Sequence, residues 1–282
     1  MKRKINSNII RGKKMNLKRY LTGLIGFPIV ALVLIFGNKY IIDVIFAIVA
    51  EISIHEYFNA ISKKYIPIRA LGYIAAALIA FIHIIPLGAL ITLAIMFIPL
   101  SVVILFLNII FSSLKIEPKD IFATFFGICY IVVFILFIPI LYASLNGKFL
   151  IWYILLIAWG TDTFAYTFGR LFGKHKLTPI SPKKSVEGSI GGTIGAIAVT
   201  LVYTYIAQKY VDLGLSFSYV AIMTFALSIL SQIGDLSASS IKRKMDIKDF
   251  GNLLPGHGGM LDRIDSMIFI APFAYYILVL IL

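Results

Sequence analysis

Between Ser239 and Ser266 stand five Lys/Arg, four Asp, one His and four Gly in 28 residues, with an apolar run on either side. The residue types suit phosphate chemistry assisted by a metal ion. Carboxylates that converge with water and phosphate oxygens match Mg²⁺, a hard cation that keeps near-octahedral oxygen ligation. Lys242, Arg243, Lys248 and Arg263 are cations of the kind that hold a polyphosphate. Pro255-Gly256-His257-Gly258-Gly259 runs directly into an apolar helix, where glycine N–H groups and the helix dipole favour an anion. The plainer reading of the same residues is a solvated loop with snorkelling charges.

A carboxylate at mid-span costs about 2.5–3.5 kcal/mol on the insertion scale, so each one needs a reason. On a helix Asp235 shares a stripe with Ser231, Ser239 and Lys242, while Asp262, Asp265 and Ser266 open the next helix on one face. The two helices are consecutive, so Asp235 and Asp262 can face each other across one pocket. Upstream, Trp159, Asp162 and Tyr166 share a helical face, followed by Ser181-Pro182-Lys183-Lys184-Ser185-Val186-Glu187-Gly188. This second cluster reads equally as a phosphate site or as a basic loop in which Glu187 caps the next helix.

The elements that must position these residues are membrane helices. The chain has 282 residues, is 60% hydrophobic and is only 14% charged; a soluble domain carries about a quarter charged residues. At about 20 residues per span, the expectation is an all-α, polytopic integral membrane protein with nine transmembrane helices. They fall near 21–37, 41–61, 70–85, 88–113, 121–145, 149–171, 189–207, 219–238 and 260–282. Pro86 divides the long run from Ala70 to Leu114, and Pro99 kinks the second half. This arrangement puts 23 of the 26 Lys/Arg on one side, leaving Lys39, Lys148 and Lys209 on the other. By the positive-inside rule the N-terminus is then cytoplasmic and the C-terminus outside. The net charge of +13 is accounted for in this way without nucleic acid as a partner.

The regions expected are a basic tail (1–20), five N-terminal helices (21–148) and a catalytic region of four (149–282). The apolar stretch after the tail has no small-x-small cleavage pattern and reads as an uncleaved first span. The single cysteine, Cys129, excludes a disulfide framework. Gly188-x-x-x-Gly192 and Gly191-x-x-x-Gly195 read as helix-packing motifs. Gly169–His175 falls one residue short of a phosphate-binding loop and lacks its Ser/Thr, and His55-Glu56 has no second histidine for a zinc helix. Glu51, His55 and Glu56 are expected to pair with one another or with backbone, and His83 to stand alone.

Ser239-x-Ile241-Lys242-Arg243, then Lys248-Asp249, then Pro255-x-His257-Gly258-Gly259-Met260-x-Asp262-Arg263-Ile264-Asp265 resembles the signature of the phosphatidate cytidylyltransferases. Asp162–Tyr166 and Ser181–Gly188 resemble that family's upstream motifs, so the likeness covers about 155 to the end. The resemblance implies transfer of CMP from CTP to phosphatidate, giving CDP-diacylglycerol and pyrophosphate, with Mg²⁺ required. It further implies Asp235 and Asp262 as metal ligands, K⁺ as a second cation, a homodimer, and a bacterial inner membrane with the site facing the cytoplasm. Lys242, Arg243, Lys248, Asp249, His257, Arg263 and Asp265 become the catalytic set. Asp162, Ser181, Lys183, Lys184, Ser185, Glu187, Ser239, Gly258 and Gly259 become substrate-binding.

The chemistry fits that inventory. A phosphomonoester has a second pKa of about 6 and is largely dianionic at pH 7, so it needs no general base to attack the α-phosphorus. The obstacle is one polyanion approaching another, which positioning and charge neutralisation overcome. His257 then contacts a phosphate or orients Asp262 or Asp265. Two other functions use the same residue types: a CTP-dependent lipid kinase transferring the γ-phosphate, and an ion-coupled secondary transporter.

Overall fold

The computed structural model describes residues 28–112, 115–253 and 258–280. His257 lies outside them, as do the basic tail and the start of the first apolar stretch. The described residues are helical, with one isolated antiparallel bridge between Lys176 and Ser185. The helices are α1 (28–36), α2 (Lys39–Ile61), α3 (Arg69–Leu78, continued by a 3₁₀ turn to Phe81) and α4 (Leu87–Phe111). Then α5 (Pro118–Gly127) runs through a π-helical stretch, Ile128–Val133, into α6 (Phe134–Ala143). They are followed by α7 (Gly147–Phe172), α8 (Val186–Ala207), α9 (Phe217–Lys244) and α10 (Leu261–Tyr275), which ends in a second π-helical stretch to Leu280.

Among the described residues, five helices are long and apolar enough to cross a membrane: Pro118–Ala143, α7, α8, α9 and Leu261–Leu280. The stretch Arg69–Phe81 is shorter; at 1.5 Å rise per residue it spans only ~20 Å, less than a bilayer's ~30 Å hydrocarbon core. Large apolar side chains such as Phe36, Phe111 and Ile222 are exposed on helix exteriors, the arrangement expected where lipid is the solvent.

Two apolar clusters hold the bundle. One joins α1, α6, α7, α9 and α10 around the fully buried Tyr153 and Ile154. The other joins α2, α3, α5 and the π-helical stretch to Ala238, Met245, Phe250 and Leu261. Both clusters draw residues from either side of position 148. The closest pair is α7 with α8, for the reason the glycine spacing predicts. Gly191 lies against Phe168, Gly192 against Ala165 and Gly195 against Phe164, and a Cβ at any of them would collide. Hydroxyls cross-link this pair and tie it to α9: Tyr153 to Thr204 at 2.7 Å between α7 and α8, Thr161 of α7 to Ser228 at 2.9 Å, and Thr200 of α8 to Thr224 at 2.9 Å.

Tertiary contacts sort the helix ends into two groups. The C-terminal ends of α2, α7 and α9 meet the N-terminal ends of α5, α8 and α10 at one end of the bundle. At the other end Tyr142 donates to the carbonyls of Leu34 and Gly37, and Asn146 to that of Asp212. His83 is not alone as expected: its Nδ1 lies 2.8 Å from the buried carboxylate of Asp43.

Candidate active site

Asp262, in the first turn of α10, is the knot of the signature segment. Its Oδ2 accepts from the N–H of Phe250 at 2.8 Å and of Gly259 at 3.0 Å, while Oδ1 accepts from Lys242 Nζ at 2.7 Å. The ammonium of Lys242 also stands 5.3 Å from the ring centroid of Phe250, so that loop folds over the ion pair. Gly258 has φ +85°, a conformation that penalises a side chain, and its missing Cβ leaves room for Asp249 and Asp262. The Gly259 N–H, read from the sequence as a donor for an anion, is used here by Asp262.

Asp235 belongs to a different group. It forms an ion pair with Lys184, and its charge acts on Asp162 of α7 and Asp265 of α10. Arg263 acts on Asp162, and Lys242 on Asp265. Three carboxylates from three helices thus share one neighbourhood beside Lys184, Arg263 and Lys242. Spacing paired Asp235 with Asp262; the fold gives each its own lysine and makes Asp162 and Asp265 the acidic neighbours of Asp235.

Ser231 and Ser266, which stand in sequence beside Asp235 and Asp265, are buried, and their hydroxyls have no hydrogen-bond partner among the described residues. The same holds for the hydroxyl of Tyr130, within electrostatic reach of both Asp235 and Asp265. The ring of Tyr130 sits 6.3 Å from that of Phe269, one turn beyond Asp265. Buried hydroxyls are nearly always satisfied, by protein or by something bound. Sequence reasoning passed over Tyr130; its one signal is being the sole hydroxyl between Thr124 and Tyr142.

These donors fit a metal ion in a specific way. Among the described residues no three His, Cys, Asp or Glu side chains form a ready-made metal cage. Mg²⁺ is ordinarily held by one or two carboxylates together with substrate phosphates and water. Asp235 with Asp162 or Asp265, beside hydroxyls that have no partner among the described residues, is a set of donors of that kind.

The loop between α7 and α8 is ordered by its own residues. Ser185 is the N-cap of α8, accepting from Gly188 N at 3.1 Å. Glu187 accepts from the N–H groups of Lys174 and His175 and lies 2.6 Å from His175 Nδ1. Leu177 N donates to Lys184 O at 2.9 Å, and Lys184 N to Ser181 O at 3.0 Å, closing the loop as a hairpin. Ser185 and Glu187, expected to bind substrate, thus also order the loop, while Lys184 reaches Asp235 and Lys183 is exposed. Of the other expected residues, Ser239 is half-buried on α9, and Arg243 and Lys248 are exposed.

Beside the site lies a cavity of ≈ 960 Å³ between α2, α5, the C-terminal end of α9 and the segment 179–182. Tyr57, Phe122, Phe126 and Ile241 give it apolar walls, and Lys119, Arg243 and Lys244 give it positive charge. An apolar trough with cations at a bundle end suits an amphiphile with an anionic head.

Fold and site together define a helical membrane protein with an acidic and basic centre at one bundle end, next to an amphiphilic cavity. The chain belongs to the cytidylyltransferase family, whose profile matches residues 17–281. It is 42% identical over 159 residues to a phosphatidate cytidylyltransferase of Bacillus subtilis, covering 56% of each chain. To the enzyme of that name from Staphylococcus haemolyticus it is 47% identical over 135 residues, 48% of this chain and 50% of the relative. For Staphylococcus epidermidis the figures are 49% over 125 residues, 44% and 46%. The matched region spans about half the length of these curated relatives.

Proposed function

We propose that the chain transfers CMP from CTP to phosphatidate, releasing pyrophosphate. The observation that carries this is the carboxylate group of Asp162, Asp235 and Asp265, set among Lys184, Lys242 and Arg263, beside a cavity that combines apolar walls with cations. The name shared by its relatives supports the choice of substrates. A phosphate oxygen of phosphatidate bonds to the α-phosphorus of CTP, and the α–β bridging P–O bond breaks with its electron pair leaving on pyrophosphate. No proton moves in this step. Lys183, Lys184 and Arg263 face the triphosphate, while Arg243 and Lys244 hold the lipid phosphate at the cavity. Asp235 would hold a Mg²⁺ ion, which would supply neutralisation of the charge that builds between the two polyanions.

The bundle end that carries the site also carries the described Lys/Arg other than Lys39, Lys148 and Lys209, which supports a cytoplasmic site, nine spans and an outside C-terminus. A bacterial plasma membrane and a homodimeric assembly belong to the same proposal. Purified protein incubated with phosphatidate and α-labelled CTP, with and without Mg²⁺, tests it. Label entering the lipid fraction only with Mg²⁺ is the expected outcome. Label entering only from γ-labelled CTP would make the protein a lipid kinase, and nucleotide-independent ion flux would make it a transporter.

A further inference from the structure

Helix α10 begins without a cap of its own. Its N-cap position is Met260, which has no side chain able to accept a hydrogen bond, although the first N–H groups of any helix need acceptors. The acceptor comes from the other half of the chain. Glu56 of α2 takes the N–H of Met260 on Oε1 at 3.0 Å and that of Leu261 on Oε2 at 2.9 Å, from 204 and 205 residues away. With Asp262 taking the Gly259 N–H, two carboxylates consume three successive amides. Gly251 and Gly259 pack so closely on the Glu56 carboxylate that a Cβ at either would strike it. Glu56 is itself buried.

The turn directly after α2 holds the other end of the signature loop. Lys64 Nζ donates to Lys244 O at 2.6 Å and Lys63 Nζ to Asp246 O at 3.3 Å, at the C-terminal end of α9. Helix α2 and the turn that follows it thus place cations at the negative end of α9 and an anion at the positive end of α10, each the favourable sign for its helix dipole.

We propose that Glu56 is a positioning residue: by fixing the first turn of α10 it sets Asp262, Arg263 and Asp265 for phosphate chemistry, without touching substrate. The proposal rests on the function above. Its test compares wild type with Glu56→Gln, Glu56→Asp, Glu56→Ala and, as a control, Glu51→Gln, an exposed carboxylate on the same helix. Three quantities are read: kcat and KM for CTP, hydrogen exchange in a peptide covering 258–263, and exchange across α7 and α8. The expected result for Glu56→Gln is a kcat lower by about 10–100-fold, the usual range for removing an outer-shell partner. KM for CTP stays within threefold, and exchange accelerates in 258–263 but not in α7 or α8. Glu56→Asp recovers part of the rate, and Glu51→Gln behaves as wild type. Normal kcat in Glu56→Gln overturns the proposal, as does acceleration spread evenly over all helices. If Glu56→Ala does not fold, Glu56→Gln and Glu56→Asp decide. Should wild type fail to transfer CMP, the functional reading falls, and the exchange data still decide whether Glu56 holds α10.

Discussion

Lys242 Nζ and Asp262 Oδ1 lie 2.7 Å apart with side chains only 11% and 2% exposed, joining the last turn of α9 to the first turn of α10 across the signature loop. The loop between them closes over that pair through the N–H groups of Phe250 and Gly259. Removing one partner of such a pair leaves a buried charge unanswered. Lys242→Ala is expected to destabilise the folded protein by roughly 3–5 kcal/mol, read as a lower thermal midpoint in detergent. Asp262→Asn should cost stability too. A double-mutant cycle between the two positions separates the pair energy from the cost of each truncation.

Asp235 is expected to behave differently. Its side chain is partly exposed, and its neighbours Asp162 and Asp265 repel it. Asp235→Asn relieves that repulsion, so the thermal midpoint should hold or rise while CMP transfer falls at least 100-fold. On the proposed function, chelating Mg²⁺ should stop wild-type turnover and adding it back should restore it. Turnover by Asp235→Asn within tenfold of wild type would remove this residue from the metal site.

Tyr130 offers a test that separates stability from activity. Its buried hydroxyl has no hydrogen-bond partner among the described residues, so Tyr130→Phe removes an unsatisfied group and no bond. Stability should stay level or rise by about 1 kcal/mol. If the hydroxyl serves a bound ion or phosphate, turnover falls at the same time, and denaturation together with the labelled-CTP assay reads both. A stable variant with full turnover would leave that hydroxyl without a role.

The cavity between α2, α5 and α9 predicts a split in Michaelis constants. Ile241→Trp fills part of its apolar wall, and Arg243→Ala removes one of its cations. Each should raise KM for phosphatidate by roughly tenfold, the size of about 1.4 kcal/mol, and leave KM for CTP nearly unchanged. Initial rates with one substrate varied at saturating levels of the other provide the measurement. Equal effects on both constants would place the lipid elsewhere.

Membrane character and the helical class were legible in the sequence, because each is a local property. A run of apolar residues, a proline break or a glycine spacing needs no partner to be recognised, and Gly191 and Gly195 do pack as their spacing implies. Which charges meet was not legible. Asp235 and Asp262 are neighbours by spacing, yet each takes its own lysine, Lys184 and Lys242. Ser185 and Glu187 carry the chemistry of phosphate ligands, and the fold shows them capping a helix and closing a loop. The Met260 and Leu261 amides find Glu56, more than 200 residues away. In an apolar surround every buried charge and N–H must be answered. Composition says how many such groups there are; only the packing of α2, α7, α9 and α10 decides which answers which.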